Sequence, residues 1–300
     1  MIRLMKKTGW IIVNGNLKTD KFIDYAKMIQ AAAIKRHIDI SIMKNNDILL
    51  DLSDKQPLHL HKQTYTLPDF AFFIDKDIYL AQYLEQLGIP VFNSSSTIEM
   101  SDDKIQTYQR LTSLDIPIPH TIIAPKIYTK GVLSDDYLQS IIHKLGIPLV
   151  VKEAFGSFGE QVYLVNNVEE LKELTNNLQG KPFLFQSYIS SSHGRDIRLQ
   201  VVGNEVIAGM ERNNNQDFRA NITNGGDMKP FTPDQKAINI AVDAAQAINA
   251  DFAGVDLLFG PENSYFVCEI NANAHIRNLT ECTGVNIADK MITYIERKIR

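Results

Sequence analysis

Through the first hundred residues short apolar runs alternate with longer stretches of helical spacing, and this alternation predicts βα units around a parallel sheet. The runs WIIVN (10–14), DILLDL (47–52) and FAFFI (70–74) read as strands. Residues 20–36 and 76–87 carry apolar positions at helical period, and Gly88 followed by Ile89-Pro90 ends the second helix.

At Ser101 a helix is predicted to begin with a capping oxygen, with Asp102 and Asp103 in its first turn where they complement the helix dipole. Ile105, Tyr108 and Leu111 recur at helical spacing until DIPIPH (115–120) breaks the pattern, because each proline pushes its predecessor out of the α region. A small unit follows: a helix near 134–145, a strand PLVVK (148–152), a loop EAFGSFGEQ, a strand VYLV (162–165) and a helix near 167–178. In the last third, FLFQSYI (183–189) is a strand and RLQVVGNEVIAGM a hairpin turning at Gly203-Asn204. Thr232-Pro233-Asp234-Gln235 reads as a capping box with proline at the first helical position, before an apolar stripe of Ile238, Ala241, Val242 and Ala245. Strands at 252–259 and 264–270 are joined by Gly260, Pro261, Glu262 and Asn263. Three domains are expected, at 1–100, 101–185 and 186–300, in an α/β (α+β) architecture: an open parallel sheet, a small α+β unit, and a mostly antiparallel sheet.

A chain of 300 residues that is 44% hydrophobic can bury more than one core. Its 31 basic and 35 acidic residues leave a net charge of −4, so no global field favours nucleic acid or an anionic membrane. Cys268 and Cys282 alone make neither a disulfide framework nor a zinc motif, which points to a reducing cytoplasm. The first residues resemble the start of a signal peptide, yet their apolar run is too short and is read as the first strand; no segment reaches the length of a membrane span.

Between two apolar strands, Gly156, Ser157, Phe158 and Gly159 form a loop whose glycines let backbone N–H groups approach phosphate. Alone, a glycine-bearing hairpin turn explains it equally well, and it is neither a P-loop nor a Rossmann fingerprint. Lys152, at the end of the strand before that loop, and Lys104, on the helix after Ser101, supply two point charges suited to phosphates. The period of two places Glu269 and Asn271 on one face of a strand, and antiparallel pairing across the Gly260 turn brings Asp256 beside them. Three oxygen ligands there suit Mg²⁺, which binds through a few carboxylates plus substrate phosphates.

From Ser101 to Arg300 the chain resembles the ATP-grasp ligases of the RimK type. The resemblance is carried, in order, by SDDK (101–104), PLVVKEAFGSFG (148–159), QSYI (186–189), GRDIRLQVVGNEVIAGMER (194–212), DFRAN (217–221), NGGD (224–227), AGVDLL (253–258), CEINAN (268–273) and TGVNIADKMI (283–292). It implies the ATP-grasp fold, with a preceding α/β domain, a lid and a metal-bearing sheet. It implies that Lys104 and Lys152 bind phosphates under a mobile loop at Gly156–Gly159. Gln186, Ser187 and Tyr188 would form the hinge that reads adenine, with Asp196 near the ribose. Arg219 and Asn221 would hold the γ-phosphate and metal, Arg212 would orient the acid or the transferring phosphoryl group, and Asp256, Glu269 and Asn271 would bind Mg²⁺ or Mn²⁺ as two ions. Ala272-Asn273-Ala274-His275 departs from the family's Ser-Pro-Gly continuation after the metal-binding Asn, so the substrate-side loop is atypical.

The implied activity is an ATP-dependent, ADP-forming ligation of a carboxylate to an amine through an acylphosphate, with an amino acid such as glutamate as a substrate. The carboxylate and amine belong to small molecules or peptides, no nucleic acid or membrane takes part, and relatives form homodimers or homotetramers. Two alternatives stand beside it: a non-catalytic ATP-binding regulatory module, and an acylphosphate-forming enzyme using another nucleophile. His275 is left open between a substrate or base role and a structural one.

Overall fold

The computed structural model describes residues 7–17, 20–53, 59–60, 63–64, 66–128, 131–157, 159–220 and 226–299. Its first part contains β1 (Thr8–Val13), α1 (Asp20–Lys35), β2 (Asp39–Lys44), β3 (Ile48–Leu49), β4 (His59–Leu60), β5 (Gln63–Thr64), β6 (Phe70–Phe73), α2 (Ile78–Gln86) and β7 (Val91–Phe92). A parallel sheet runs β2-β1-β6-β7. Its two central strands are the uninterrupted apolar runs predicted, and Ile11, Ile12, Phe70, Ala71, Phe72 and Phe73 are buried, as strands covered on both faces must be.

DILLDL does not join that sheet. Only Ile48–Leu49 pairs, in a small antiparallel sheet with β4 and β5, and Leu49 and Leu52 are 64% and 84% exposed. The parallel position belongs to β2, DISIMK. As an edge strand β2 has only Ile40 buried, so its mixed composition hid it from a search for apolar runs.

Next come α3 (Ser95–Asp102), α4 (Lys104–Thr112), β8 (Thr121–Ile123), α5 (Asp135–Leu145), β9 (Leu149–Glu153), β10 (Val162–Val165), α6 (Val168–Asn177) and β11 (Phe183–Ser187). Ser101 is not a cap. It lies in the last turn of α3, where its Oγ donates to the Ile98 carbonyl. Asp103, extended at φ −96° and ψ 104°, caps α4 by accepting from the N–H groups of Ile105 and Gln106. Three adjacent side chains could cap here, and only the backbone conformation selects among them. The second sheet is antiparallel in the order β10-β9-β11-β8, with α5 and α6 packed on it through Leu138, Ile141 and Leu171.

The last part holds β12 (Arg195–Val202), β13 (Glu205–Asn213), β14 (Asp227–Pro230), α7 (Gln235–Ala247), β15 (Phe252–Phe259), β16 (Tyr265–Asn271), α8 (Arg277–Thr283) and α9 (Ile287–Lys298). The third sheet is antiparallel in the order β14-β13-β12-β15-β16. Asp234, not Thr232, caps α7 through the Ala237 N–H, so Pro233 precedes the cap. The buried stripe is accordingly Ala237, Ile240, Ala241, Ala244 and Ala245, with Ile238 and Val242 only half-buried. Helix α7 covers one face of this sheet. On the other, α8 and α9 share a core with α1 and the parallel sheet, in which Met210 and Phe252 meet Ile29, Phe72 and Met291.

One buried amide ties the parallel sheet to the third one. Asn93 Nδ2 donates to the carbonyls of Phe252 and Ala272 (2.9 and 2.8 Å), and its Oδ1 accepts from the N–H groups of Asp251 and Phe252 (2.7 and 3.0 Å). All four hydrogen-bonding positions of the amide are filled. Asn93→Leu should therefore lower the unfolding free energy by about 3 kcal/mol or more, since each buried backbone group left unsatisfied costs about 1–3 kcal/mol. A denaturant titration reads this directly, and a loss below about 0.5 kcal/mol would show that the two parts do not depend on the tie.

Candidate active site

β15 and β16 pair so that Asp256 faces Glu269 and Gly254 faces Asn271. Between Asp256 and Leu257 the register slips, because Leu257 pairs with Val267 and Cys268 is the additional residue. This β-bulge lets Val267 and Ile270, three residues apart, both enter the core under α7. It also leaves Glu269 and Asn271 on the opposite face, beside Asp256.

Asp256 already has partners there. Arg198, directly across the strand pair, donates from Nε and Nη2 to the two Asp256 oxygens at 2.6 Å each. Arg212 Nη2 adds a third bond at 2.8 Å, while Arg212 also grips Asp196 at 2.7 and 2.6 Å. Burial pushes the Asp256 carboxyl up, but Arg198 and Arg212 outweigh it and hold the group below the usual carboxylate range. Asp196 is raised, because burial and the Asp256 charge outweigh the Arg212 it is bonded to and the more distant Arg198. The two carboxylates and two guanidiniums form a net-neutral ladder across β13, β12 and β15 in which Asp196, Arg212 and Asp256 are buried.

Glu269 is half-buried, and its nearest cation is Lys104 at 3.9 Å, beyond hydrogen-bond reach. Asn271 Nδ2 is buried without a partner. Turning that amide presents an oxygen in its place. Among the described residues no three His, Cys, Asp or Glu side chains gather as a metal cluster, yet Mg²⁺ needs only one or two carboxylates when phosphates complete its shell. Glu269 and Asn271 fit such an ion as they stand, and Asp256 fits once an oxygen is released.

The lysines meet the same face. Lys104 and Lys152 are both buried; Lys104 lines one narrow cleft with Thr107, Tyr108, Cys268 and Glu269, and Lys152 lies behind it against Tyr108 and Cys268. Lys152 Nζ donates to the Tyr108 hydroxyl at 3.0 Å and lies 3.8 Å from Cys268 Sγ. Burial lowers Lys104, with Glu269 opposing it. Burial also lifts both the Tyr108 phenol and the Cys268 thiol, so each stays protonated at neutral pH. Lys152 therefore has polar neighbours but, among the described ion pairs, no carboxylate of its own. Both cysteines are free thiols, and burial raises Cys282 as well.

The glycine loop is held from three sides. Lys104 Nζ donates to the Gly156 carbonyl (3.3 Å), Lys76 Nζ to Ser157 Oγ (3.2 Å), and an Arg219 guanidinium N–H to the Gly159 carbonyl. Gly156 has φ +146°, and a Cβ there would lie 2.3 Å from Gln161 Oε1, so the loop needs a glycine. Asp217 orients Arg219 through paired bonds of 3.0 and 2.7 Å. Phe158 and Asn221 lie outside the described residues. Lys76, which also pairs with Asp102, escaped the sequence reading because no motif surrounds it. Its place at the carboxyl end of a parallel strand, where open α/β sheets bind ligands, was the available signal.

At the hinge, Gln186 and Ser187 end β11 and Tyr188 follows. Gln186 is buried and donates to Thr121 Oγ1 at 2.8 Å, the Ser187 N–H is committed to the His120 carbonyl at 2.9 Å, and the Tyr188 hydroxyl meets His193. An adenine edge thus cannot be read by the Ser187 N–H. The segment after Asn271 docks on the first part of the chain: Asn273 Nδ2 donates to the Asp75 carbonyl at 2.7 Å and His275 Nε2 bonds the Lys21 carbonyl at 2.7 Å. His275 Nδ1 accepts the Arg277 N–H, and burial lowers its pKa, so this histidine is a neutral strut and not a base.

Residues 101–295 match the model of the RimK-like ATP-grasp domain. The chain belongs to the RimK-like ATP-grasp family. A probable alpha-L-glutamate ligase of Enterobacter is 37% identical over 216 residues, covering 71% of this chain and 69% of the relative. The glutamate–LysW ligase ArgX of Sulfurisphaera tokodaii is 33% identical over 226 residues, or 73% of this chain and 77% of the relative. Among solved structures, a D-alanine–D-alanine ligase from Bacillus anthracis complexed with ATP superposes with a TM-score of 0.73 at 18% identity, covering 98% of this chain and 97% of that one. That likeness shows the fold alone: a parallel sheet joined to two antiparallel ones is the ATP-grasp arrangement expected. This RimK-like protein is thus an ATP-grasp ligase, and no described helix is long and apolar enough to cross a membrane.

Within this RimK-like site the buried ladder should be indispensable to folding. Arg212→Met leaves Asp196 without its guanidinium, and breaking such a buried pair costs about 3–5 kcal/mol. Urea unfolding measures it, and a loss under about 1 kcal/mol would mean that Asp196 finds solvent or another donor.

Proposed function

We propose that this protein joins a carboxylate to an amine by way of an acylphosphate, with ATP as the phosphoryl donor and an amino acid such as glutamate as a substrate. The observation that carries the reading is that Lys104 and Glu269 line one cleft, that Lys152 touches the Tyr108 and Cys268 side chains of that cleft, and that the unpartnered Asn271 amide lies two residues along the strand from Glu269. A buried lysine without its own carboxylate and an orphaned amide are each costly unless a ligand completes them. A metal-bound triphosphate completes both.

In this reading an oxygen of the acid attacks the γ-phosphorus, the bond to the β-bridging oxygen breaks, and ADP leaves. The amine nitrogen then attacks the acyl carbon, the C–O bond to phosphate breaks, and the amine proton passes to solvent or phosphate. Lys104 and Lys152 neutralise the charge of the α- and β-phosphates, and Arg219 closes the glycine loop over them. One or two Mg²⁺ or Mn²⁺ ions on Glu269, Asn271 and Asp256 would supply charge neutralisation at the transferring group. No nucleophile of the protein is needed, and two free thiols suit work in a reducing cytoplasm. The names of the relatives, glutamate ligases among them, support the choice of amino acid.

ADP release with L-glutamate and pools of amines, with and without Mg²⁺, tests the whole; ATP binding without turnover in every pool would favour a nucleotide-binding module. Glu269→Gln is expected to remove nearly all turnover while ATP affinity stays within a few-fold, and normal rates would refute the metal role. Lys152→Ala is expected to weaken nucleotide binding by about tenfold or more, the size of a lost hydrogen bond to a charged group. Isothermal titration decides that point, and an unchanged Kd would remove Lys152 from the phosphate site.

A further inference from the structure

Of the three side chains that face the cleft as oxygen ligands, Asp256 alone is already occupied. Its two oxygens accept three guanidinium N–H groups, two from Arg198 and one from Arg212. The two arginines are not equivalent. Arg212 is 6% exposed and is anchored a second time by Asp196, whereas Arg198 is 17% exposed and holds nothing but Asp256 among the described residues. Arg198 is therefore the partner that can leave.

Arg198 lies over Gly254, the residue paired with Asn271; a Cβ at Gly254 would stand 3.6 Å from its Cδ and Nε. The guanidinium thus spans the two strand positions that flank the cleft, with no side chain from Gly254 in its way. Lys21, partly buried at the start of α1, lies close enough for the two cations to disfavour each other, burial being the larger influence on the lysine.

We infer that Arg198 gates metal entry: it holds Asp256 closed in the free protein and yields the carboxylate only when a divalent cation arrives with nucleotide. The inference rests on the metal assignment proposed above and deepens it. The charge balance gives the reason. The four-residue ladder is net neutral, so adding a divalent cation to it is unfavourable unless a positive group withdraws or phosphates bring negative charge. Nucleotide and metal then bind with positive coupling, and that coupling is reciprocal. The bare protein keeps Asp256 satisfied by hydrogen bonds and does not collect divalent cations in the absence of ATP.

The test is titration of the full-length protein with Mn²⁺, followed by the loss of the free-ion electron paramagnetic resonance signal, with and without ADP. In the unmodified protein Mn²⁺ alone should bind weakly and ADP should tighten it strongly. Arg198→Gln should raise the affinity for Mn²⁺ alone by about tenfold or more, and shrink the effect of ADP by a similar factor. Arg198→Lys, which keeps the charge but loses the two-pronged grip, should fall between the two, and it provides the reading if the glutamine variant does not fold. Adding Asp256→Asn to Arg198→Gln should erase the gain. Equal Mn²⁺ affinities in the unmodified protein and in whichever arginine variants fold would overturn the gate. ADP release by the unmodified protein, assayed on the same preparation, shows separately whether the ligase reading stands.

Discussion

The site depends on the pairing of β15 with β16 and on the one extra residue in it. A strand with strict period-two alternation could not send both Val267 and Ile270 into the core and still present Glu269 and Asn271 together on the other face. Cys268 takes up the difference as a bulge. The apolar side fixes the strand under α7, and the polar side inherits its aim from that packing. Glu269 and Asn271 are therefore positioned by the burial of Ile270 between them and of Val267 before them, not by a hydrogen-bond network of their own, and this is why the Asn271 amide can be left without a partner.

The second requirement is that the lysines reach the same face from another sheet. Lys152 is carried by β9, between β10 and β11, and its stem is buried between neighbouring strands while its head meets Tyr108 of α4. Helix α4 is itself pinned to the loop after β9, because the Lys104 N–H donates to the Ala154 carbonyl at 2.9 Å. The second sheet, α4 and the β15–β16 pair thus share one contact region. Lys76 adds the parallel sheet to it through Ser157, and Asn93, Asn273 and His275 secure that sheet to the third one through backbone carbonyls. The cleft itself is lined by α3, α4 and β16, with the second sheet behind it through Lys152 and the parallel sheet tied to the glycine loop through Lys76.

Much of this was legible in the sequence because the relevant signals are local. Central strands read as unbroken apolar runs, the glycine loop lies between two of them, and Asp256, Glu269 and Asn271 fall within a single hairpin whose turn residues are evident. The features that escaped were set by tertiary context. Strand β2 carries polar residues because it is an edge, DILLDL was deflected into a minor sheet, and Ser101 lost the cap to Asp103 on backbone conformation alone. Lys76 sits in no motif, and Arg198 lies in the 194–212 stretch without having been singled out there; their contacts are with partners 81 and 58 residues away. The predicted roles of Asp196 and Arg212 could not anticipate that each is the other's main partner, because cross-strand register is not written in either strand separately.

That last pairing bears on how the enzyme class works at all. A site that binds a triphosphate and metal ions must be tolerable when both are absent, and a cluster of bare carboxylates in a buried sheet would not be. Here Asp196 and Asp256 are neutralised by Arg198 and Arg212, while Lys152 is kept apart from the carboxylates and supported by the neutral Tyr108 hydroxyl and Cys268 thiol. The positive and negative halves of the cleft consequently do not collapse onto each other: Lys104 stops 3.9 Å from Glu269. A group entering between them has no tight Lys104–Glu269 ion pair to break.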